Sequence, residues 1–400
     1  MNNRITSRSI LFSITSLLDY MEIDILDEIT NHGRRVAYIS LRIGERLGLS
    51  KDELFDLGRF AILHDIGGAK SISEQTNSLV DRTLLENYQS HCVYGQTIAD
   101  FFPSLTNQHD IVLYHHENYD GSGFFGKKDD EIPLMSKLIC MSDYLELRYF
   151  SKHSKYVPEQ IISDLKQQSG ILFNPSLVEI LENLAREMTF WLDLDNANID
   201  FAIHKHLPAV DDPLSTRDLF TIAEIISATI DSKSIFTNIH SKGLAEKALK
   251  VANFCKFSSV KTRQFHLAAL LHDIGKLIVS TKILNKNGPL SPEEKNIIRQ
   301  HVYYTEKTLI LMGIDTNVVR WASNHHEKLN GTGYPKGLHA PELDFESRVL
   351  CALDVFQALT EDRPYRTAFP LDKAWDILDK MVMDNELDSE IVSIIKQIFS

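Results

Sequence analysis

The sequence has little of what builds disulfide-linked or membrane-spanning proteins. Its 400 residues include 4 cysteines, none of them in a C-x-x-C pair, which argues against a disulfide framework or a zinc ribbon. The longest apolar stretch near the start, residues 9–18, is interrupted by Ser13, Thr15 and Ser16 and is too short to span a bilayer. With 12 prolines and 18 glycines, the chain is neither collagen-like nor of low complexity. These absences predict a globular protein of a reducing cytoplasm without membrane association.

Positive charge is also scarce. The chain has 55 acidic residues against 42 lysines and arginines, a net charge of −13. A protein that binds duplex nucleic acid carries a basic face, so this balance argues against that function. A small anionic ligand remains compatible, provided that metal ions or arginines invert the charge locally. Histidine, by contrast, is abundant, with 16 residues.

The histidines belong to an internal repeat. The tetrapeptide HDIG at 64–67 returns at 272–275, an offset of 208. Further pairs keep the same order at offsets of 208 to 211: His32 and His240, His91 and His301, His115-His116 and His325-His326, and Asp143 and Asp354. Such a series indicates a duplicated domain of about 200 residues. A turn-rich stretch at 204–216 separates the copies, with Ser215 or Thr216 as the next N-cap, so we expect domains at 1–205 and 206–400.

Both copies have the periodicity of helices. Apolar residues recur at i, i+3, i+4 and i+7 in the stretches 162–168, 177–188, 265–278 and 374–382. No stretch combines sustained alternation with hairpin turns. The expected fold is all-α, with two helical bundles in tandem.

The repeated imidazole and carboxylate side chains indicate metal binding. A single histidine is usually a core or capping residue, but that does not explain five histidines and two aspartates that recur in the same order. Such mixed donors suit iron, manganese, zinc or nickel rather than magnesium or calcium. Seven donors exceed the needs of one ion, so we expect a dinuclear site in each copy. The candidate ligands are His32, His64, Asp65, His91, His115, His116 and Asp143 in the first copy, and His240, His272, Asp273, His301, His325, His326 and Asp354 in the second.

The second copy resembles the HD-GYP family, bacterial metal-dependent phosphodiesterases of the HD superfamily that open cyclic dinucleotides. It carries HDIGK at 272–276, HHEKLNGTGYPKGL at 325–338 and LTEDRPYR at 359–366. The resemblance implies HD-type bundles with two divalent transition metals per site, iron or manganese first and nickel also tolerated. It implies hydrolysis of cyclic di-GMP or 3′,3′-cyclic GMP-AMP to the linear dinucleotide, by a metal-bridging hydroxide in the second copy.

The resemblance also implies residue roles in the second copy. Asp273 would bridge the metals and act in catalysis together with Lys276. The implied substrate contacts are Lys276, Gly333, Tyr334, Arg363 and Arg366. Gln357 stands where the family has a second aspartate, and an amide that reached a base edge would alter the discrimination between guanine and adenine.

The first copy keeps the candidate metal ligands but lacks the motifs that the resemblance assigns to substrate binding. Gly68 replaces the lysine after HDIG, Gly123-Phe124-Phe125 stands in place of Gly-Tyr-Pro, and the RPYR segment is missing. Glu28, one helical turn before His32, stands where some family members hold a third metal. We expect a metal-binding domain that acts as a structural support, a regulator or a wall of the substrate site. A second active site of altered specificity is the alternative.

Two other hypotheses stay open. One is a non-catalytic cyclic-dinucleotide receptor or scaffold with cyclase proteins as partners, against which the presence of Lys276 argues. The other is a different HD-superfamily nucleotide phosphohydrolase, although such enzymes generally lack the segments around Gly333 and Arg363. The sequence leaves oligomerisation undecided.

Overall fold

The computed structural model describes residues 5–26, 31–68, 89–150, 157–210, 214–233, 240–286, 288–361 and 367–400. Within these ranges the regular secondary structure is helical, and β-pairing consists of isolated bridges such as Ser169 with Phe173 and Asn330 with His339. The predicted all-α fold is confirmed. In the described parts of the chain, no helix combines the length and apolarity that crossing a membrane requires. The cytoplasmic location stays a prediction.

Helices follow one another along the first half of the chain, with short connections between most of them. They are α1 (Ser7–Leu26), α2 (His32–Leu47), α3 (Lys51–Leu63), α4 (Gln89–Ala99), α5 (Leu134–Phe150), α6 (Pro158–Gln167), α7 (Pro175–Ala185), α8 (Met188–Asp193) and α9 (Ile199–His206). A 3-10 turn, Asp129–Glu131, precedes α5. The stretch 177–188, expected as one helix, is divided between α7 and α8.

The second half repeats this pattern. Its helices are α10 (Thr216–Lys233), α11 (His240–Phe254), α12 (Ser259–Leu271), α13 (Thr281–Leu284), α14 (Pro292–Leu311), α15 (Thr316–Ser323), α16 (Phe345–Thr360), α17 (Leu371–Met383) and α18 (Ser389–Phe399). Two 3-10 turns, Ile274–Ile278 and Ala340–Glu342, lie between them. Helices α2, α3, α4 and α5 thus correspond to α11, α12, α14 and α16.

The chain forms two compact units. The N-terminal unit comprises Thr6–Leu11 and Ile25–Pro213, and the C-terminal unit comprises Leu214–Ser400 together with Phe12–Asp24. Helix α1 therefore contributes to both units. The domain boundaries expected from the sequence, 1–205 and 206–400, stay a prediction.

Side-chain caps begin helices where the sequence signals them. Ser291 and Glu294 form a capping box at the start of α14, with Pro292 at the first helical position. The hydroxyl of Ser215 accepts a hydrogen bond from the amide of Asp218 at 3.1 Å, so the predicted cap of α10 is confirmed.

The His-Asp pair ends a helix instead of lying within one. His272 is the C-cap of α12, and Asp273 has left the helical conformation, with φ −103° and ψ 8°. The tighter turn Ile274–Ile278 follows. The continuous helix expected over 265–278 is therefore wrong.

Close backbone packing accounts for this break. A Cβ atom at Gly275 would lie 1.9 Å from the carbonyl oxygen of His301 and 2.7 Å from the amide nitrogen of Thr305. The N-terminal unit repeats the contact, with 2.3 Å between a Cβ at Gly67 and the carbonyl oxygen of His91. The HDIG glycine thus lets the end of one ligand-bearing helix rest directly on the next.

Gly275→Ala is expected to destabilise the C-terminal unit by about 2 kcal/mol, because the backbone must move to admit the methyl group. For a unit of this size the thermal midpoint falls by about 4–8 °C, measured by circular dichroism. Ser393→Ala, at an exposed helical position, serves as the control and should change stability by less than about 0.5 kcal/mol. A Gly275→Ala protein that melts with the wild type would contradict the close contact.

Candidate metal centres

The predicted ligands come together as two clusters in each unit. Within each cluster the donor atoms lie within 4.8 Å of one another. The N-terminal clusters are His32, His64 and Asp143, and Asp65, His91, His115 and His116; the C-terminal clusters are His240, His272 and Asp273, and His301, His325 and His326. Asp354 adjoins the C-terminal pair, its Oδ1 at 3.1 Å from Nε2 of His240 and its Oδ2 at 3.8 Å from Nδ1 of His326.

One aspartate of the C-terminal unit faces both clusters. Oδ2 of Asp273 lies 3.1 Å from Nε2 of His272. Its Oδ1 lies 3.4 Å from Nε2 of His301 and 3.8 Å from Nε2 of His325. A carboxylate with one oxygen toward each donor cluster would be within reach of a metal ion in either cluster.

The N-terminal unit has the same arrangement. Oδ2 of Asp65 lies 3.4 Å from Nε2 of His64. Its Oδ1 lies 3.7 Å from Nε2 of His91 and 3.8 Å from Nε2 of His115. The donor geometry is therefore retained in the copy that lacks the substrate-side motifs.

Backbone carbonyls fix the tautomer of half of these histidines. Nδ1 of His272 donates to the carbonyl oxygen of Ala269 at 2.7 Å, and Nδ1 of His325 donates to that of Ala322 at 2.6 Å. Because a carbonyl oxygen only accepts, Nδ1 carries the proton and the lone pair of Nε2 faces the cluster. The same bond, to the carbonyl three residues earlier, is made by His64, His115 and His301.

Glutamates orient the two histidines that begin α2 and α11. Nδ1 of His32 lies 2.6 Å from Oε2 of Glu146, and Nδ1 of His240 lies 3.0 Å from Oε2 of Glu361. The sequence reasoning missed both glutamates. They follow the last aspartate of each ligand set by three and seven residues, spacings that put side chains on one helix face, and this signal was available.

Burial keeps several imidazoles neutral. It lowers the pKa of His326 and of His116 to about 4, and that of His301 to about 3. Burial and the neighbouring His326 hold the pKa of His325 well below its usual value. The neutral imidazole is the form that binds a metal.

The carboxylates stay ionised despite their burial. Burial alone would raise the pKa of Asp273, but His272 and Lys276 hold it well below its usual value. Burial would likewise raise the pKa of Asp354, but a hydrogen bond from His240 outweighs it and lowers this pKa. Burial would lower the pKa of His240 itself, yet its hydrogen bonds to two carboxylates raise it to about 9. Two ionised carboxylates beside the imidazole nitrogens form a donor set for cations.

The donor set fits divalent transition metals. Nε2 of His272 and Oδ1 of Asp273 are buried and make no hydrogen bond, which is a costly state for polar atoms. The Nε2 atoms of His301 and His325 are 3.4 Å apart, and both carry lone pairs because both Nδ1 atoms donate elsewhere. Two imidazoles on one tetrahedral ion, at about 2.1 Å each, would have this separation. Magnesium and calcium prefer shells of oxygen.

A tight loop carries two of the predicted substrate contacts, Gly333 and Tyr334, to the clusters. The buried carboxylate of Glu327 accepts hydrogen bonds from two backbone amides of this loop, at 2.7 and 2.9 Å. A Cβ at Gly333 would lie 2.5 Å from Cα of Glu327, so only glycine allows this approach. The ring of Tyr334 then lies against that of His326, with 4.8 Å between the centroids.

The remaining predicted residues have different positions. Nζ of Lys276 donates to Oδ2 of Asp273 at 2.5 Å, so the lysine adjoins the clusters. Gln357 is 1% exposed, and its amide is bonded to Lys247 and Glu361. The expected contact of this side chain with a base edge does not agree with its burial, because both ends of the amide are occupied within the unit. Three predicted site residues, Glu28, Arg363 and Arg366, lie outside the described residues.

Comparison with known proteins agrees with this geometry. The family model of the HD domain matches residues 21–177 and again 224–391. The chain belongs to the HD domain family. Both matched HD segments contain a complete ligand set, and the predicted kinship with the HD-GYP phosphodiesterases is confirmed by relatives of that type.

Two relatives of this HD protein come from Vibrio cholerae. The 3′3′-cGAMP-specific phosphodiesterase 1 is 29% identical over 396 residues, which cover 97% of this chain and 90% of the relative. The 3′3′-cGAMP-specific phosphodiesterase 3 is 29% identical over 439 residues, covering 97% and 93%. A crystal structure of the cyclic GMP-AMP-specific phosphodiesterase V-cGAP3 superimposes with a TM-score of 0.67 at 26% identity, over 99% of this chain and 98% of that one.

Metal binding is expected to stabilise the folded HD units. At free Mn²⁺ 100 times above the dissociation constant, each occupied site adds about 2.7 kcal/mol to the free energy of unfolding. The thermal midpoint of chelator-treated protein should therefore rise with Mn²⁺, and much less with an equal concentration of Mg²⁺, because the donors are mostly nitrogen. Equal shifts for the two ions would argue against the imidazole clusters as the binding sites.

Proposed function

We propose that the chain is a metal-dependent phosphodiesterase that hydrolyses a cyclic dinucleotide, with catalysis in the C-terminal HD unit. The observation that carries this proposal is Asp273, whose oxygens face both histidine clusters and which accepts a hydrogen bond from Lys276. The expected substrate is 3′,3′-cyclic GMP-AMP, because relatives that match 97% of the chain are named for it. Cyclic di-GMP is the alternative, and the product is the linear dinucleotide.

The ligand residues would hold two divalent metals in each unit, of which iron and manganese are the first candidates and nickel the next. When bound, such metals lower the pKa of a water molecule and stabilise negative charge on phosphoryl oxygens. The protein supplies the orientation of this chemistry. Asp273 and the fixed histidine tautomers hold the donors in place, and the Gly333 loop closes one side of the site.

Lys276 and Tyr334 provide the groups for phosphate. The Lys276 ammonium lies beside Asp273, where it neutralises charge that gathers on the phosphoryl oxygens as a water molecule is added across a P–O bond. Burial, together with nearby Asp354 and Asp273, raises the pKa of the Tyr334 phenol. The phenol therefore keeps its proton at neutral pH and serves as a neutral hydrogen-bond donor. The arginines at 363 and 366 would complete this set.

The N-terminal HD unit is proposed to bind metal without efficient phosphate handling. Gly68 and Phe124 stand where the C-terminal unit has Lys276 and Tyr334, so both phosphate-facing groups are missing. The complete donor set of His and Asp residues remains. This unit would act as a support, a regulator or a wall of the substrate site. The third metal at Glu28, cyclase partners and oligomerisation stay predictions.

Turnover by two aspartate variants tests the assignment of catalysis to the C-terminal unit. Asp273→Ala should lower the turnover of 3′,3′-cyclic GMP-AMP by about a thousandfold or more, because it removes the group common to both clusters. Asp65→Ala, the matched change in the N-terminal unit, should cost tenfold at most. Chromatography of the products at saturating Mn²⁺ measures both, with cyclic di-GMP assayed in parallel.

Other outcomes of this assay have definite meanings. Equal losses in the two variants would make the N-terminal unit part of the catalytic machinery. A Mn²⁺-loaded wild type that binds a dinucleotide but cleaves neither would overturn the phosphodiesterase and leave the receptor hypothesis.

The lysine contact can be tested separately. Lys276→Met should reduce kcat/KM by about a hundredfold, because a cation beside the transferring phosphoryl group is lost. Lys282→Met, a change at an exposed lysine six residues later, should leave kcat/KM within twofold of the wild type. Steady-state kinetics that do not distinguish the two variants would remove Lys276 from the substrate site.

A further inference from the structure

The glutamate that orients the first histidine comes from different positions in the two units. Glu146 follows Asp143 by three residues, and the corresponding position of the C-terminal unit, three residues after Asp354, holds Gln357. There the partner of the histidine is Glu361, four residues later. The carboxylate has therefore moved by one helical turn.

The cation near this carboxylate has moved as well. In the N-terminal unit, Nε of Arg35 donates to Oε1 of Glu146 at 2.8 Å. At the offset of 208 that relates His32 to His240, Arg35 corresponds to Gly243. The cation of the C-terminal unit is Lys247, again four residues later on the same helix. The carboxylate and the cation are thus each displaced by one turn, and in the C-terminal unit Gln357 connects them.

The side-chain amide of Gln357 lies between the displaced Lys247 and Glu361. Its Oε1 accepts a hydrogen bond from Nζ of Lys247, and its Nε2 donates one to Oε1 of Glu361. An ammonium only donates and a carboxylate only accepts, so an amide satisfies both neighbours. A carboxylate at position 357 would instead face that of Glu361. Gly243 leaves room for the amide, since a Cβ there would lie 2.4 Å from Nε2 of Gln357.

We propose that Glu361 is the positioning residue of the C-terminal metal centre, held by the series Lys247–Gln357–Glu361. Its Oε2 meets Nδ1 of His240 and so turns Nε2 of that ring toward Asp354 and the metal site. Gln357 accordingly serves the metal centre and not base recognition. The inference rests on the proposed function only in taking His240 as a metal ligand.

Partners of this kind contribute about 10- to 100-fold to metal affinity in proteins. Glu361→Gln in the full chain should therefore weaken the tightest Mn²⁺ binding attributable to this centre by about tenfold or more, as measured by equilibrium dialysis of metal-free protein. Asp379→Asn is the matched control, since it also replaces a carboxylate of the same unit with an amide, here one that pairs with Lys396. Its Mn²⁺ affinity should equal that of the wild type.

A second variant separates orientation from general damage. Gln357→Glu combined with Glu361→Gln returns the carboxylate to the position that it has in the N-terminal unit. This double variant should recover Mn²⁺ affinity to within threefold of the wild type. Circular dichroism of the metal-free proteins establishes that the single variant folds.

The results decide as follows. Loss in Glu361→Gln with recovery in the double variant supports the positioning role. Wild-type affinity in Glu361→Gln, or a loss that the double variant does not recover, overturns it. A wild type that binds Mn²⁺ without cleaving either cyclic dinucleotide would defeat the proposed function alone, because the Mn²⁺ comparison would still decide the role of Glu361.

Discussion

The structure depends on a group of imidazole lone pairs that surround one buried carboxylate. In the C-terminal unit the Nε2 atoms of His272, His301 and His325 face Asp273, while the protons of all three rings are held by backbone carbonyls on the other side. Lone pairs so close together repel one another unless cations lie between them. The fold therefore creates a strong preference for bound metal, and it does so with helix ends and backbone bonds as well as with the ligands themselves.

This requirement explains local features that helical propensity alone does not. The helix before the HDIG motif must end at His272, so that the ring belongs to one cluster and the following carboxylate faces both. Gly275 permits the ending because the chain at that point rests on the backbone beside His301. The Glu327 carboxylate accepts hydrogen bonds from backbone amides of the loop that carries Tyr334. The phenol is thereby held close to the clusters by a residue that is not itself a metal ligand.

The sequence allowed the all-α fold and the assembly of the ligands to be predicted, because a repeat of seven metal-binding side chains in constant order is difficult to explain otherwise. It did not reveal the break at Asp273, since periodicity continues through 265–278 while the cause is a contact with another helix. It also did not reveal the surroundings of Gln357. The residue was compared with the aspartate usual at that position, whereas its environment depends on Lys247 and Glu361, each displaced by one turn. Such paired displacements are visible only when both helices are seen together.

The persistence of a full donor set in the N-terminal unit does not require that this unit be catalytic. A metal that binds only the folded form contributes its binding free energy to stability, whatever happens to substrate. Removing one ligand there would weaken the hold on a cation that offsets the charge of the carboxylates Asp65 and Asp143, and that change is destabilising in itself. Phosphate-binding groups carry no such structural role, and their replacement by Gly68 and Phe124 leaves the core intact. The two units therefore differ in the phosphate-facing groups, which serve only the reaction. They agree in the donor residues, which serve both the reaction and the stability of the fold.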